Sequence, residues 1–109
     1  MVDTTPTVIY SSQMVEIRQT DRFQTWFEAL RDRQAKARIN VRIRRLQEGN
    51  PGQHRQLGAG VLELKIDYGP GYRLYCAPRG NEVVILLVGG DKSSQIEDIS
   101  LAQDLAKEI

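Results

Sequence analysis

Residues Leu62 to Tyr75, LELKIDYGPGYRLY, alternate apolar and polar side chains, pause at Gly-Pro-Gly and alternate again. A period of two broken by a turn predicts an antiparallel hairpin with one buried face. Strand side chains point alternately to opposite faces, so Leu62, Leu64 and Ile66 fall on one face of the first arm and Val61, Glu63, Lys65 and Asp67 on the other. In the second arm Tyr72, Leu74 and Cys76 share the apolar phase, while Arg73 and Tyr75 share the opposite one. Lys65, Arg73 and the nearby tyrosines therefore gather on the face turned away from the core, and cations beside aromatic rings suit a ligand bearing phosphates and bases.

The rest of the chain supplies elements to cover that hairpin. Met1 to Gln13 has no strong period and is expected to be a flexible extension ahead of one domain spanning residues 14–109. Val15 to Gln19 reads as a short strand. Thr20 or Asp21 can cap a helix whose Phe23, Trp26, Phe27 and Leu30 recur at helical spacing as a core stripe. A second helix is expected over Arg33 to Glu48, with Ala35, Ile39, Ile43 and Leu46 inward, ending at Gly49-Asn50-Pro51-Gly52. Its outer faces carry Lys36, Arg38, Arg42, Arg44 and Arg45, which could track a phosphate backbone, seat an acidic partner or simply be solvated. Gln53 to Gly60 is read as a loop, Glu82 to Gly90 as an interior strand covered on both sides, and a last helix is capped by Ser93 or Ser94. The predicted fold is α+β: an antiparallel-rich sheet of about four strands, two N-terminal helices and a C-terminal helix.

Charge is unevenly spread along this order. Between Met14 and Arg79 there are thirteen Lys and Arg against seven Asp and Glu, whereas Gly80 to Ile109 has two against six, a basic body followed by an acidic tail. Such asymmetry fits a polyanion-binding surface. With one cysteine no intramolecular disulfide can form, and Cys76 sits on the apolar phase of its strand as a packing residue. One Cys and one His do not make a usual zinc site, so no metal or other cofactor is expected. The two Gly-x-Gly segments lack the third glycine of a dinucleotide loop, and no serine lies in a nucleophile elbow. The longest apolar run, Val83 to Val88, is too short to span a bilayer, and the N-terminus lacks a signal-peptide pattern, so no membrane association is expected and the cytoplasm is the expected location.

Two segments carry a family resemblance. Glu63 to Tyr75, and Leu86-Leu-Val-Gly-Gly-Asp-Lys-Ser-Ser-Gln95, together with Phe23 to Trp26 and Gly49-Asn50, resemble the RelE/ParE toxin superfamily, specifically its HigB-like addiction module killer proteins. The likeness runs from about Met14 to the C-terminus. It implies a compact RelE-like toxin of a type II toxin-antitoxin system, neutralised by a cognate antitoxin that often carries a helix-turn-helix domain. Many such toxins cut messenger RNA on the ribosome without metal, as mRNA interferases that inhibit translation. The ParE branch instead poisons DNA gyrase without being an enzyme, and a member reduced to an inactive antitoxin-binding module is a further alternative.

The same likeness suggests roles residue by residue. Lys65 falls where RNA-cutting relatives often place a basic residue, Arg73 matches the arginine they aim at the scissile phosphate, and Lys92 lies near another catalytic cation. Glu63 stands where a second basic residue often occurs, and no tyrosine follows Lys92; Gln95 and Ile96 occupy that region. Metal-free cleavage needs a base for the 2′-hydroxyl, an acid for the leaving oxygen and cations for the added charge. The catalytic candidates are thus Lys65, Arg73, Lys92 and Glu63, the last either as base or as a salt-bridge partner of Lys65. Tyr68 and Tyr75 are candidates to stack on splayed bases, with Arg42, Arg45 and His54 as further RNA contacts. His54 is also a candidate base, and Tyr72 is read as core. Gly89-Gly90 could offer N–H groups to a phosphate or simply make a tight strand exit.

Overall fold

The computed structural model describes residues 14–109, so the expected extension at 1–13 lies outside the described residues. Strand β1 (Glu16–Gln19) leads into helix α1 (Asp21–Ala29), helix α2 (Arg33–Gln47) and the short strand β2 (His54–Gln56). Strands β3 (Leu62–Ile66), β4 (Tyr72–Arg79) and β5 (Val83–Gly90) follow, then helix α3 (Gln95–Glu108). The sheet has five strands in the order β1-β5-β4-β3-β2, with β1 parallel to β5 and the other pairs antiparallel. The additional strand is β2, where a loop was expected. Its three residues show no apolar alternation, and they are extended because β3 offers an unpaired edge to which they can bond.

Helix α1 begins where the Thr20 hydroxyl accepts from Phe23 N at 3.0 Å and donates to Leu87 O at 2.7 Å, so one cap also ties the helix to β5. Asp32 caps α2 by accepting from the backbone of Gln34 and Ala35. These two helices cover one sheet face: Phe23, Ala35, Ile39 and Leu46 pack on Leu64, Ile66, Leu74, Cys76 and Leu86. The Cys76 thiol is buried there, and burial pushes its pKa up to about 12, as expected of a packing residue. Tyr72 belongs to the same core, its ring 6.2 Å from that of Trp26.

The other face is not left open. Helix α3 lies across β4 and β5, where Ala102 and Ala106 pack on Val61, Tyr75, Ala77, Ile85, Leu87 and Val88. Small residues let the helix approach closely, and β5 is consequently buried on both sides. Ser94 occupies the N-cap position of α3, but its hydroxyl donates to Asp98 at 2.6 Å instead of capping the backbone. The preceding 3₁₀ turn is capped by Asp91, which accepts from Ser93 N.

A bulge in β5 sets which side chains reach each layer. Tyr75 pairs with Val88 but Cys76 pairs with Leu86, leaving Leu87 extra, so Leu87 and Val88 both enter the core beneath α3. After this slip Gly89 faces the Trp26 ring and Gly90 faces Asp98, and a Cβ on either glycine would overlap those side chains. Close packing thus accounts for both glycines. We expect Gly89→Ala to lower stability by about 1–3 kcal/mol through overpacking. Urea denaturation followed by Trp26 fluorescence measures this, and an unchanged midpoint would show that the ring does not need the space.

Candidate functional site

The ladder registers assemble a charged cluster where α3 stops covering the sheet. Arg55 on β2 stands opposite Glu63 on β3, which stands opposite Tyr75 on β4. One row along, Lys65 stands opposite Arg73, and Arg73 opposite Gly90. Placing two cations directly across a strand pair is unfavourable by itself. Alternation predicted that Lys65 and Arg73 would meet on one face, and the register brings them together.

Glu63 is the hub of this cluster. One carboxylate oxygen accepts from Arg55 Nε at 3.1 Å and lies 2.9 Å from Arg55 Nη2 as an ion pair. The other accepts from the Tyr75 hydroxyl at 3.1 Å and from the Gln95 amide at 2.9 Å, and lies 3.9 Å from Arg73 Nε. The residue is only 6% exposed, so these partners replace the water its charge would otherwise hold. The expected salt bridge therefore exists with other partners: Arg55 and Arg73 take the place assigned to Lys65. With both oxygens engaged, Glu63 has the setting of an anchor more than of a free base.

Arg73 is 7% exposed, donates through Nη1 to Gly71 O at 2.7 Å, and leaves its buried Nε without a hydrogen-bond partner. At Gly71, with φ 79°, an added Cβ would lie 3.1 Å from Arg73 Nη1 and 3.7 Å from Lys92 Cβ. Lys92 is exposed on the turn after β5, its backbone N 3.4 Å from Pro70 O. Lys65 is exposed. A cleft of 270 Å³ is lined by Lys65, Arg73, Glu63, Gln95, Arg55 and His54; Lys92 lies outside its lining. His54 lines the cleft from the β2 edge, but its register partner is Leu64, on the sheet face opposite Lys65 and Arg73, and its Nδ1 lies 2.7 Å from Gly52 O, which can only accept, so Nδ1 carries a proton.

The remaining candidates lie elsewhere. Tyr75 is fully buried beneath α3, where burial and the Glu63 carboxylate raise the pKa of its hydroxyl; it cannot stack on a base in this arrangement. Tyr68 is on the opposite side, its hydroxyl donating to Asp32 at 2.9 Å and its ring covered by Arg38 at 4.6 Å. Arg42 donates to the carbonyls of Lys65, Pro51 and Gln53, stapling α2 to the β2 and β3 edge, and burial lowers its pKa. It is a structural tie where an RNA contact was expected. Arg45 is exposed on α2 and lines a separate groove with Lys65. Arg55 and Gln95 were missed as site residues, because nothing in a polar three-residue segment or at a helix start announces a partner. The one available signal was Glu63 itself, an acid on a cationic strand face. Among the described residues no three His, Cys, Asp or Glu gather as metal ligands, and no helix is long and apolar enough to cross a membrane.

Helices on both faces of a five-strand sheet, and a cleft lined by Lys65, Arg73 and Glu63 at the exposed end of the hairpin, define a small α+β domain with a charged cleft. Residues 25–107 match the family described as phage derived protein Gp49-like (DUF891). The chain belongs to this Gp49-like family, a RelE/toxin-like addiction module family. An uncharacterized protein of Haemophilus influenzae is 46% identical over 95 residues, covering 87% of this chain and 96% of its own. The solution structure of the conserved hypothetical protein HP0894 from Helicobacter pylori aligns over 73% of this chain and 97% of its own, with a TM-score of 0.47 and 21% identity. Family membership makes this a toxin-like protein of a toxin-antitoxin module and suggests an antitoxin as its partner.

Proposed function

We propose that the protein is a HigB-like toxin that cuts messenger RNA on the ribosome without metal, through the cleft between β2, β3 and β4. The observation that carries this reading is the opposed pair Lys65 and Arg73, two cations directly across β3 and β4 that line one cleft. A fold that keeps such a pair against its own repulsion gains when a phosphate enters between them.

In this reading Arg73 clamps the scissile phosphate through its planar fork, turning from Gly71 O to do so. His54, turning in from the β2 edge, takes the proton from the 2′-hydroxyl as the 2′-oxygen bonds to phosphorus. The bond from phosphorus to the 5′-oxygen breaks, that oxygen takes a proton from Lys65 or Lys92, and a cyclic phosphate is left. Glu63 orients the cations instead of moving protons.

Transcript ends mapped after a brief pulse of expression test the reading. Cuts should cluster inside translated frames, and His54→Gln should reduce them by about 10²-fold or more, the usual worth of a general base. Intact transcripts with arrested supercoiling would replace this reading by gyrase poisoning, and neither effect would leave an antitoxin-binding module.

A further inference from the structure

Arg55 is tied to Glu63, but that ion pair uses only part of its guanidinium. Nε donates to Glu63 Oε1 at 3.1 Å and Nη2 lies 2.9 Å from the same oxygen, while Tyr75 and Gln95 hold Oε2. Two donors thus converge on one acceptor, and the two-oxygen match that an arginine fork makes best is not formed. Nη1 has no protein partner among the described residues, and the side chain is 57% exposed. A donor anchored at one end and hydrated at the other is placed to take an anion from solution.

Strand geometry relates this donor to the cation pair. Arg55 stands opposite Glu63, and Lys65 is two residues further along β3, so the three side chains project from one sheet face. Arg55 and Lys65 are therefore diagonal neighbours on adjacent antiparallel strands, a separation of about 7–8 Å. That is close to one nucleotide step of an extended RNA strand. With the scissile phosphate between Lys65 and Arg73, the adjoining phosphate falls over Arg55.

Charge leads to the same count. Arg55, Lys65 and Arg73 line the cleft against the single carboxylate of Glu63, an excess of two positive charges. Cations crowded together raise the energy of the empty cleft, and two phosphates balance this excess where one does not. No aromatic ring lines the cleft, so Arg55 meets backbone and not base.

The structure assigns Arg55 as the ligand of a second RNA phosphate, next to the one that is cut. Nε and Nη2 stay on Glu63 while Nη1 donates to the phosphate, so no ion pair breaks on binding and Glu63 aims the fork. Arg55 holds the strand and takes no part in breaking the bond. The assignment rests on the cleavage reading above, which places the scissile phosphate at Arg73.

A short single-stranded RNA methylated at every 2′-oxygen, which binds without being cut, is titrated into the full chain by fluorescence anisotropy over a range of salt. Each phosphate contact on a single strand contributes about 0.7 to the slope of log affinity against log salt, so Arg55→Gln should lower the slope by about that amount and Arg55→Lys, which keeps the charge, should not. The loss should be the same for adenine-rich and uracil-rich strands, because a phosphate contact carries no sequence information. In a reconstituted translation reaction Arg55→Gln should raise KM severalfold while kcat stays within about twofold of the parent, the mark of binding lost equally from ground and transition states. A residue that only anchored Glu63 would lower the melting temperature and leave slope and KM alone. That result, or a slope lost equally in Arg55→Lys, would overturn the proposal. Arg55-dependent binding in a protein that cuts no transcript would retire the ribonuclease reading and keep the subsite, whereas cutting with slope and KM untouched by Arg55→Gln would retire the subsite and keep the reading.

Discussion

Arg73→Ala is expected to lower transcript cleavage in a reconstituted translation reaction by about 10²- to 10³-fold, the usual loss when one preorganised stabiliser of a developing anion is removed. The fold should survive. Arg73 makes one hydrogen bond, to its own turn at Gly71, and keeps a buried Nε with no acceptor. An orphaned buried donor costs roughly 1–3 kcal/mol, and the substitution also relieves the repulsion facing Lys65. These gains offset lost packing and the lost 3.9 Å approach to Glu63, so stability should stay within about 1 kcal/mol of the parent, a melting shift under roughly 8 °C. Arg73→Lys should recover only part of the rate, because a single ammonium cannot reproduce the fork. Undiminished cleavage by the alanine variant would remove the central residue of the reading.

Glu63→Ala should have the opposite profile and fail first as a folded protein. It strands the Tyr75 hydroxyl in the core beneath α3, releases the Gln95 amide at the start of that helix and leaves Arg55 and Arg73 uncompensated. Removing one member of a buried charged cluster costs about 3–5 kcal/mol, which for a domain of this size lowers the melting temperature by more than roughly 10 °C. Glu63→Gln keeps one acceptor oxygen and should lose less. Tyr75→Phe combined with Glu63→Ala should cost less than the two changes added, since they share a bond. Thermal unfolding of the four variants measures all of this. A Glu63→Gln protein as stable as the parent but without cleavage would assign Glu63 to proton transfer after all.

These two residues show how far a linear reading reaches. Alternation placed Glu63, Lys65, Arg73 and Tyr75 on one face, and the ladder confirms that placement, because side-chain direction in a strand follows from position alone. It could not say that α3 would cover Tyr75 and stop short of Lys65. The tyrosine consequently became a buried partner of Glu63, while the lysine stayed exposed. Arg42 shows the same limit on a helix: five outward cations look alike by spacing, yet one donates to three backbone carbonyls of β3 and the loop before β2 and the others do not.

What the sequence determined by itself was local: the hairpin, the cap at Thr20, the core stripes of α1 and α2, and the division of charge between a basic body and an acidic end. Each depends on residues a few positions apart, whose geometry is set by the backbone period. Tertiary structure alone decided that His54 to Gln56 become an edge strand, that Leu87 bulges so that Gly89 meets Trp26 and Gly90 meets Asp98, and that Arg55 and Gln95 converge on Glu63. Those outcomes depend on which surface another element leaves unpaired or uncovered, a quantity that exists only once the layers have packed.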